Sequence, residues 1–426
     1  MKKNVLIFPC GSEIALEINK ALSASTDLEL FGASSSKSSH GAYVFKNYIE
    51  GLPFVNEPGF ISAVAKVVEN NKIDFFYPAH DSVVVKASEH NQEIGCYVVG
   101  SGAETCRICR SKKLTYEHLK NIVSTPIVYD NVEQCGNFPV FVKPEKSQGS
   151  IGAKLIKSKQ ELCFYLSQNP ELIILEYLPG PEYTIDCFTD RHGKLLFAGA
   201  RKRVRTKSGI SVSTYPVNNE RLQSMAKQIN KAIKFRGPWF FQAKERDNCE
   251  PVLLEAAPRI AGSSGLNRNL GINLPLLGIL DAMDKEVNVL ANNFKIAMDR
   301  ALCNRFKTNL QYTQAYVDFD NCLINDCHVN TDIIKLIYQC INRDIKVHLF
   351  AKDSQKVKDA LTKLRLNVFD DIIYLKQNQS RPDLIKNRPA VFISGSFTER
   401  SEVYHKLNIP VFSPDAVECL ISSTSV

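Results

Sequence analysis

Phe138-Pro-Val-Phe-Val-Lys-Pro-Glu-Lys-Ser-Gln-Gly-Ser-Ile-Gly152 reads as a buried strand that ends at Lys143 and Pro144 and runs into a small-residue loop. A lysine at a strand end aims a cation at a fixed spot. A Gly/Ser loop offers backbone N–H groups that close over an anion without side-chain clash. The pairing suggests a polyphosphate held between Lys143 and a lid carrying Lys146, Ser147, Gly149, Ser150 and Gly152. A surface hairpin with a solvated lysine is the alternative, and the segment alone leaves both open.

The chain around it has 426 residues, long enough for two to four domains. With 44% hydrophobic and 23% charged residues, it has the composition of a folded globular protein. Its apolar windows are too short to span a bilayer. Val5-Leu-Ile-Phe8 is broken by Gly11, Ser12 and Glu13, so it reads as a first strand and not a leader peptide. Thirteen cysteines, mostly scattered singly, point to free thiols in a reducing cytoplasm. The net charge of +8 is mildly basic. Its densest cluster, Arg201-Lys-Arg-Val-Arg205, has no interleaved aromatics, which argues against nucleic acid and leaves a phosphate or carboxylate site or a solvated strand end.

Outside the middle of the chain, strands and helices alternate. Strands at Val5–Phe8, Leu28–Ala33, Ile73–Tyr77 and Cys96–Val99 are separated by helical patterns, the βαβ rhythm of an open parallel sheet. Pro9-Cys-Gly-Ser12 has one glycine and fails the dinucleotide-loop pattern, so a tight turn is favoured there. After a connector from about 292 to 313 the rhythm restarts, with strands at Ala315–Phe319, Lys346–Phe350, Asp371–Leu375, Pro389–Ile393 and Pro410–Phe412.

Two further segments bear on the lysine. Leu172–Asp186 contains a strand leaving through Glu176-Tyr-Leu178, a turn at Pro179-Gly180, and a return carrying Glu182. Backbone at such a strand exit can meet an adenine edge, and Glu182 can bind ribose hydroxyls; a hairpin with solvated acids is the alternative. Trp239–Glu245 and Pro251–Ala257 read as paired strands joined by a turn, with Gln242 and Glu255 at matching places. Such oxygen ligands suit Mg²⁺, and Arg259 beyond them can clamp a phosphate or carboxylate.

The order Lys113, Lys143, Gly/Ser loop, Glu176-Tyr-Leu, Gly180-x-Glu182, Gln242 and Leu254-Glu255-x-x-Pro-Arg259 resembles the ATP-grasp superfamily, in particular the ATP-grasp domains of carbamoyl-phosphate synthetase and related acid–amine ligases. The resemblance implies an α/β protein: a Rossmann-like pre-ATP-grasp domain at 1–103 and an α+β ATP-grasp domain at 104–295. It implies ATP and Mg as cofactors, and a carboxylate joined to an amine or thiol through an acyl phosphate, with release of ADP. Lys113 and Lys143 would hold phosphates, and residues 146–152 would form the lid. Glu176, Tyr177 and Leu178 would meet adenine, Glu182 ribose, and Gln242 and Glu255 the metal. Arg259 would act on the transferring phosphoryl group, and Arg203 with Gly209-Ile-Ser211 would face the carboxylate. A homodimer is compatible with it; nucleic-acid and membrane partners are not implied. The family's Glu-x-Asn has Ala257 for its asparagine, which removes a metal ligand and keeps a non-catalytic ATP-binding module as the alternative.

Val317-Asp-Phe-Asp320 resembles the Asp-x-Asp motif of haloacid-dehalogenase-like phosphatases, with the family's Rossmannoid layout over 314–426. The expected Ser/Thr is Ala351, the lysine is Arg381, and the metal-binding acids are Ser394-Gly-Ser396. That departure implies a catalytically degenerate domain.

Overall fold

In the computed structural model, residues 2–147, 149, 151–207, 209–325, 328–376 and 379–421 are described. The chain divides into two compact units, Met1–Leu302 and Cys303–Val426.

The first unit begins with a parallel five-stranded sheet in the order Asn47–Glu50, Leu28–Ser34, Lys3–Phe8, Phe75–Pro78, Tyr97–Val98. The strand order reverses about Lys3–Phe8, so the turns after it and after Phe75–Pro78 flank a crevice at the strands' carboxyl ends. Those turns carry Ser12, which caps the helix Glu13–Leu22, and His80, which caps Asp81–Glu89.

An antiparallel six-stranded sheet forms the centre of the unit. Glu182–Thr189 lies between Leu195–Lys207 and Gly237–Glu245, and Gly237–Glu245 pairs in turn with Pro251–Ala257, all antiparallel. Strand alternation sorts the side chains. Tyr183, Ile185, Cys187, Phe241 and Ala243 pack against Leu222, Met225, Ala226 and Ile229 of the helix Glu220–Ala232. Glu182, Thr184, Asp186, Phe240, Gln242 and Lys244 occupy the other face. The two expected parts of this unit share a core, in which Val5, Ile7 and Phe75 pack with Phe188, Ile260, Leu274 and Ile279.

A smaller sheet, Val128–Tyr129, Leu172–Glu176, Val140–Pro144 and Lys154–Ile156, carries Lys143 and the lid. Here the structure excludes the hairpin alternative. Leu172–Glu176 and Glu182–Thr189 are not partners in a hairpin; the chain passes between two sheets through Leu178–Pro181. The passage is tight. Gly180 N donates to Glu245 O, and a Cβ at Gly180 would stand 2.6 Å from that oxygen.

The second unit is a parallel five-stranded sheet, Asp371–Tyr374, Lys346–Ala351, Gln314–Asp318, Ala390–Ile393, Val411–Phe412. It fits the expected strand positions within two residues. The turn of helix Arg381–Leu384 was not expected.

Candidate active site

A cavity of about 430 Å³ opens in the first unit between the crevice of the parallel sheet, the polar face of the six-stranded sheet and the lid-bearing sheet. Its floor follows from strand register. Glu255 lies opposite Gln242, Gln242 opposite Thr184, and Thr184 opposite Arg201. Residues directly opposite share a face, so these four form one row across the sheet, and all four line the cavity. A neighbouring row holds Ala257, Phe240 and Asp186.

Lys143 is 7% exposed and its ammonium is fixed by two hydrogen bonds, to Tyr116 Oη at 2.9 Å and Leu254 O at 3.2 Å. Tyr116 donates to the same carbonyl at 2.7 Å, so the three groups form a closed triangle. Burial pulls the Lys143 pKa down to about 7, against the attraction of Glu255.

The second lysine of the site is Lys112. Lys113, the expected residue, is exposed and does not line the cavity. Ser111 caps the helix Lys112–Leu119 through Leu114 N, and successive helical side chains diverge by about 100°. Only one of two adjacent lysines can therefore face inward. Lys112 Nζ donates to Ser147 O at 3.1 Å and Ser147 Oγ at 3.3 Å, and stands 3.9 Å from Glu255 Oε2. Burial lowers its pKa too, opposed by Glu255.

Of the lid residues, Ser147 and Gly149 line the cavity, whereas Lys146 is exposed and away from it. Ser150 lies outside the described residues. Gly152 has φ +74°, and a Cβ there would meet Pro144 Cγ at 2.8 Å, so the lid's return requires glycine.

Glu176, Tyr177 and Leu178 line the wall. The Glu176 carboxylate is committed to Arg246 at 2.6 and 3.1 Å and to Ile127 N at 2.9 Å. It fixes the strand exit and leaves backbone as the group offered to a base. Tyr177 lies under Lys244, with Nζ 5.5 Å from the ring centre. Glu182 Oε1 is 2.9 Å from Arg203 Nε, an ion pair whose geometry is not that of a hydrogen bond.

Each nitrogen of Arg259 has an acceptor. Nε and Nη2 donate to the two oxygens of Asp81 at 2.7 and 2.6 Å, and Nη1 donates to Ile260 O at 3.0 Å. The expected phosphoryl clamp therefore has a protein carboxylate in its fork. Burial pushes the Asp81 carboxyl up, but the charge and hydrogen bonds of Arg259, with help from Arg110 and His80, hold it below the usual carboxylate range.

Sequence reading gave no role to Lys112, Asp81 or Asp186, and held Arg201 only as part of a basic cluster open to a phosphate or carboxylate. Asp186 and Arg201 form a buried ion pair, Nε to Oδ2 at 2.7 Å, and Asn267 donates to the same oxygen at 2.8 Å. An inward aspartate on one strand and an arginine on the next was the available signal.

Metal fit is limited by the donors. Glu255 and Gln242 offer an adjacent carboxylate and amide. Ala257 lines the cavity and offers nothing. Among the described residues, no group of three or more His, Cys, Asp or Glu side chains could hold an ion. A cation here would take few protein ligands, which suits Mg²⁺ carried on a polyphosphate.

Comparison with known proteins bears on the fold that carries these residues. Residues 168–301 match the family described as ATP-grasp in the biosynthetic pathway with Ter operon, so this part of the chain falls in the ATP-grasp superfamily. The vancomycin/teicoplanin A-type resistance protein VanA of Enterococcus faecium is 28% identical over 192 residues, 38% of this chain and 55% of that protein. The chain thus spans about half the length of that relative. The biotin carboxylase domain of Hydrogenobacter thermophilus 2-oxoglutarate carboxylase, solved with MgADP and bicarbonate, superposes with a TM-score of 0.58 at 14% identity, covering 68% of this chain and 72% of that one. The L-amino acid ligase of Bacillus licheniformis gives a TM-score of 0.55 at 16% identity, covering 66% and 74%. These likenesses establish a shared fold.

Proposed function

We infer that the first unit is an ADP-forming, ATP- and Mg²⁺-dependent ligase that joins a carboxylate to an amine or thiol. The observation that carries this reading is the convergence of Lys112 and Lys143 on the Gln242–Glu255 pair under a Gly/Ser lid. Two buried cations beside a two-oxygen metal site match what a bound triphosphate presents.

ATP enters with its base against the backbone of residues 176–178 and its phosphates toward Lys112 and Lys143. Glu255 and Gln242 hold Mg²⁺, which when bound offsets phosphate charge. A carboxylate oxygen of the acid attacks the γ-phosphorus, and the bond to the β–γ bridging oxygen breaks, releasing ADP. The nucleophile then attacks the acyl carbon; phosphate departs with the C–O bond electrons, and the nucleophile loses its proton. The lysines act by position and charge. Asp81 orients Arg259, whose guanidinium lies 5.1 Å over the Phe240 ring.

ADP release with a panel of acids and amines tests the reading. Acid-dependent ADP formation that is lost in Lys143→Met is expected. ATP binding without ADP formation across the panel would instead favour a non-catalytic nucleotide-binding module, the reading to which Ala257 points.

For the second unit we infer a catalytically silent haloacid-dehalogenase-like domain. Asp318 Oδ1 accepts from Arg381 Nε at 2.6 Å, and Arg381 Nη1 stands 2.6 Å from Glu399. An arginine occupies the side of Asp318 from which a phosphate would be approached. Release of phosphate from a phosphomonoester, dependent on Asp318, would overturn this.

A further inference from the structure

Among the described residues, four arginines line the cavity, and three of them have a carboxylate. Arg259 is bidentate on Asp81, Arg201 is paired with Asp186 at 2.7 Å, and Arg203 stands 2.9 Å from Glu182. Arg110 is the exception. It is half-buried, and among the described residues it has neither a hydrogen bond nor an ion pair. An arginine that faces a cavity among other cations, with no acid of its own, adds to the field that draws an anion in.

Its place follows from the chain. Helix Ala103–Arg110 ends and helix Lys112–Leu119 begins at Ser111, which is extended at φ −103° and ψ 118°. Arg110 and Lys112 are therefore at most about 7 Å apart at the backbone, and both line the cavity. Cys109 anchors the helix end in the core with Leu253 and Ala256, on the strand that carries Glu255 and Ala257. The cations form a series. Beyond burial and Glu255, the charges of Lys112 and Glu182 act on Lys143; that of Arg110 acts on Lys112, His80 and Asp81. The series runs from Glu182, the acid assigned to ribose, toward the Asp81–Arg259 pair, with Arg110 at the end away from the base.

The metal site beside it is sparse. Glu255 and Gln242 are its oxygen donors, and Ala257 offers none. One Mg²⁺ leaves a triphosphate with net negative charge, and a guanidinium answers phosphate oxygens with parallel donors. We propose that Arg110 holds the γ-phosphate of ATP and supplies there the positive charge that a second metal ion would otherwise bring. This rests on the ATP-dependent ligase reading for the identity of the ligand. The test uses no acid and no turnover, so its failure is separate from the failure of that reading.

The full chain is titrated by calorimetry, in excess Mg²⁺, with ADP and with the β,γ-imido analogue of ATP, which adds the terminal phosphate. Wild type, Arg110→Met, Arg110→Lys and Arg107→Met are compared; Arg107 lies on the same helix, exposed and off the cavity. Arg110→Met binds the analogue about tenfold more weakly and ADP as wild type does, because the charge-assisted contact is lost from one phosphate only. Arg110→Lys recovers part of the loss, and Arg107→Met changes neither affinity. Arg110 has no protein partner to lose, so Arg110→Met melts without nucleotide at the wild-type temperature, which separates lost binding from lost fold. Mn²⁺ counted by electron paramagnetic resonance in the analogue complex gives one ion per chain. Equal weakening of ADP and analogue, no weakening of either, or two bound Mn²⁺ overturns the proposal. The expected pattern, with no ADP formed from ATP and any acid, would overturn the ligase reading and leave Arg110 on the γ-phosphate.

Discussion

Each unit pairs a buried sheet aspartate with an arginine, and the two pairs do opposite things. In the first unit Asp186 uses one side of Arg201 and Asn267 braces it, so a donor remains for the cavity. In the second unit Arg381 spans Asp318 and Glu399, and Ser394 in turn donates to Glu399 at 3.2 Å. The first arrangement is an arginine held by protein and open to a ligand. The second spends its arginine on two protein carboxylates, while Asp318 Oδ2 keeps no hydrogen-bond partner among the described residues. Whether a buried ion pair serves a site thus depends on what its donors have left over.

The largest test of that contrast is catalytic. Lys143→Met should lower acid-dependent ADP formation by about a thousandfold, on the scale of losing a preorganised charge at a transferring group. Asp318→Asn should leave the ADP rate unchanged, and a matching loss in that variant would erase the distinction between the units. Next in size is stability. Arg381→Met strands Asp318 and Glu399 in a buried network and should destabilise the second unit by about 3–5 kcal/mol, read by urea denaturation. Loss well below that would mean the network is solvated in solution.

Acidity separates the units in sign. Burial raises the Asp318 pKa to about 7, against the pull of Arg381. Between the usual carboxylate pKa and 7 the folded state binds the more protons, so this group makes stability fall as pH rises across that window. Lys143 is lowered to about 7. Between 7 and the usual lysine value the unfolded state binds the more protons, so its contribution makes stability rise with pH. Thermal melts of Asp318→Asn and Lys143→Met against wild type, from pH 4 to 10, should flatten these two slopes separately. The smallest expected effect is proton uptake by Lys143 when ATP binds. At pH 8 the uptake is a fraction of one proton, measured by calorimetry in buffers of different ionisation enthalpy. Zero uptake would mean the lysine is already charged.

How much of this could be read in the chain depended on range. Glu182 to Cys187 alternate, and the turn between the runs Trp239–Glu245 and Pro251–Ala257 was enough to put Gln242 and Glu255 at matching places on paired strands. The parallel sheets were visible because each strand is short, apolar and bounded by its own turn. Lys112 was missed because its inward direction depends on where Ser111 starts the helix, a phase that two adjacent lysines conceal. The sheet change at Leu178–Pro181 was hidden because Pro179-Gly180 is equally good turn chemistry for a hairpin. Asp81 with Arg259, 178 residues apart, and Glu176 with Arg246, 70 apart, leave no local pattern at all. They were the reason Arg259 read as open.

The triangle of Lys143, Tyr116 and Leu254 has a consequence for the order in which the molecule is made. Leu254 is synthesised 111 residues after Lys143, on the order of ten seconds later at ordinary elongation rates. Until then the carbonyl that receives both Lys143 and Tyr116 does not exist, and the lysine stays hydrated with its ordinary basicity. The triangle is therefore completed only once Pro251–Ala257 has left the ribosome, and a nascent chain stopped short of that strand carries Lys143 without its carbonyl partner.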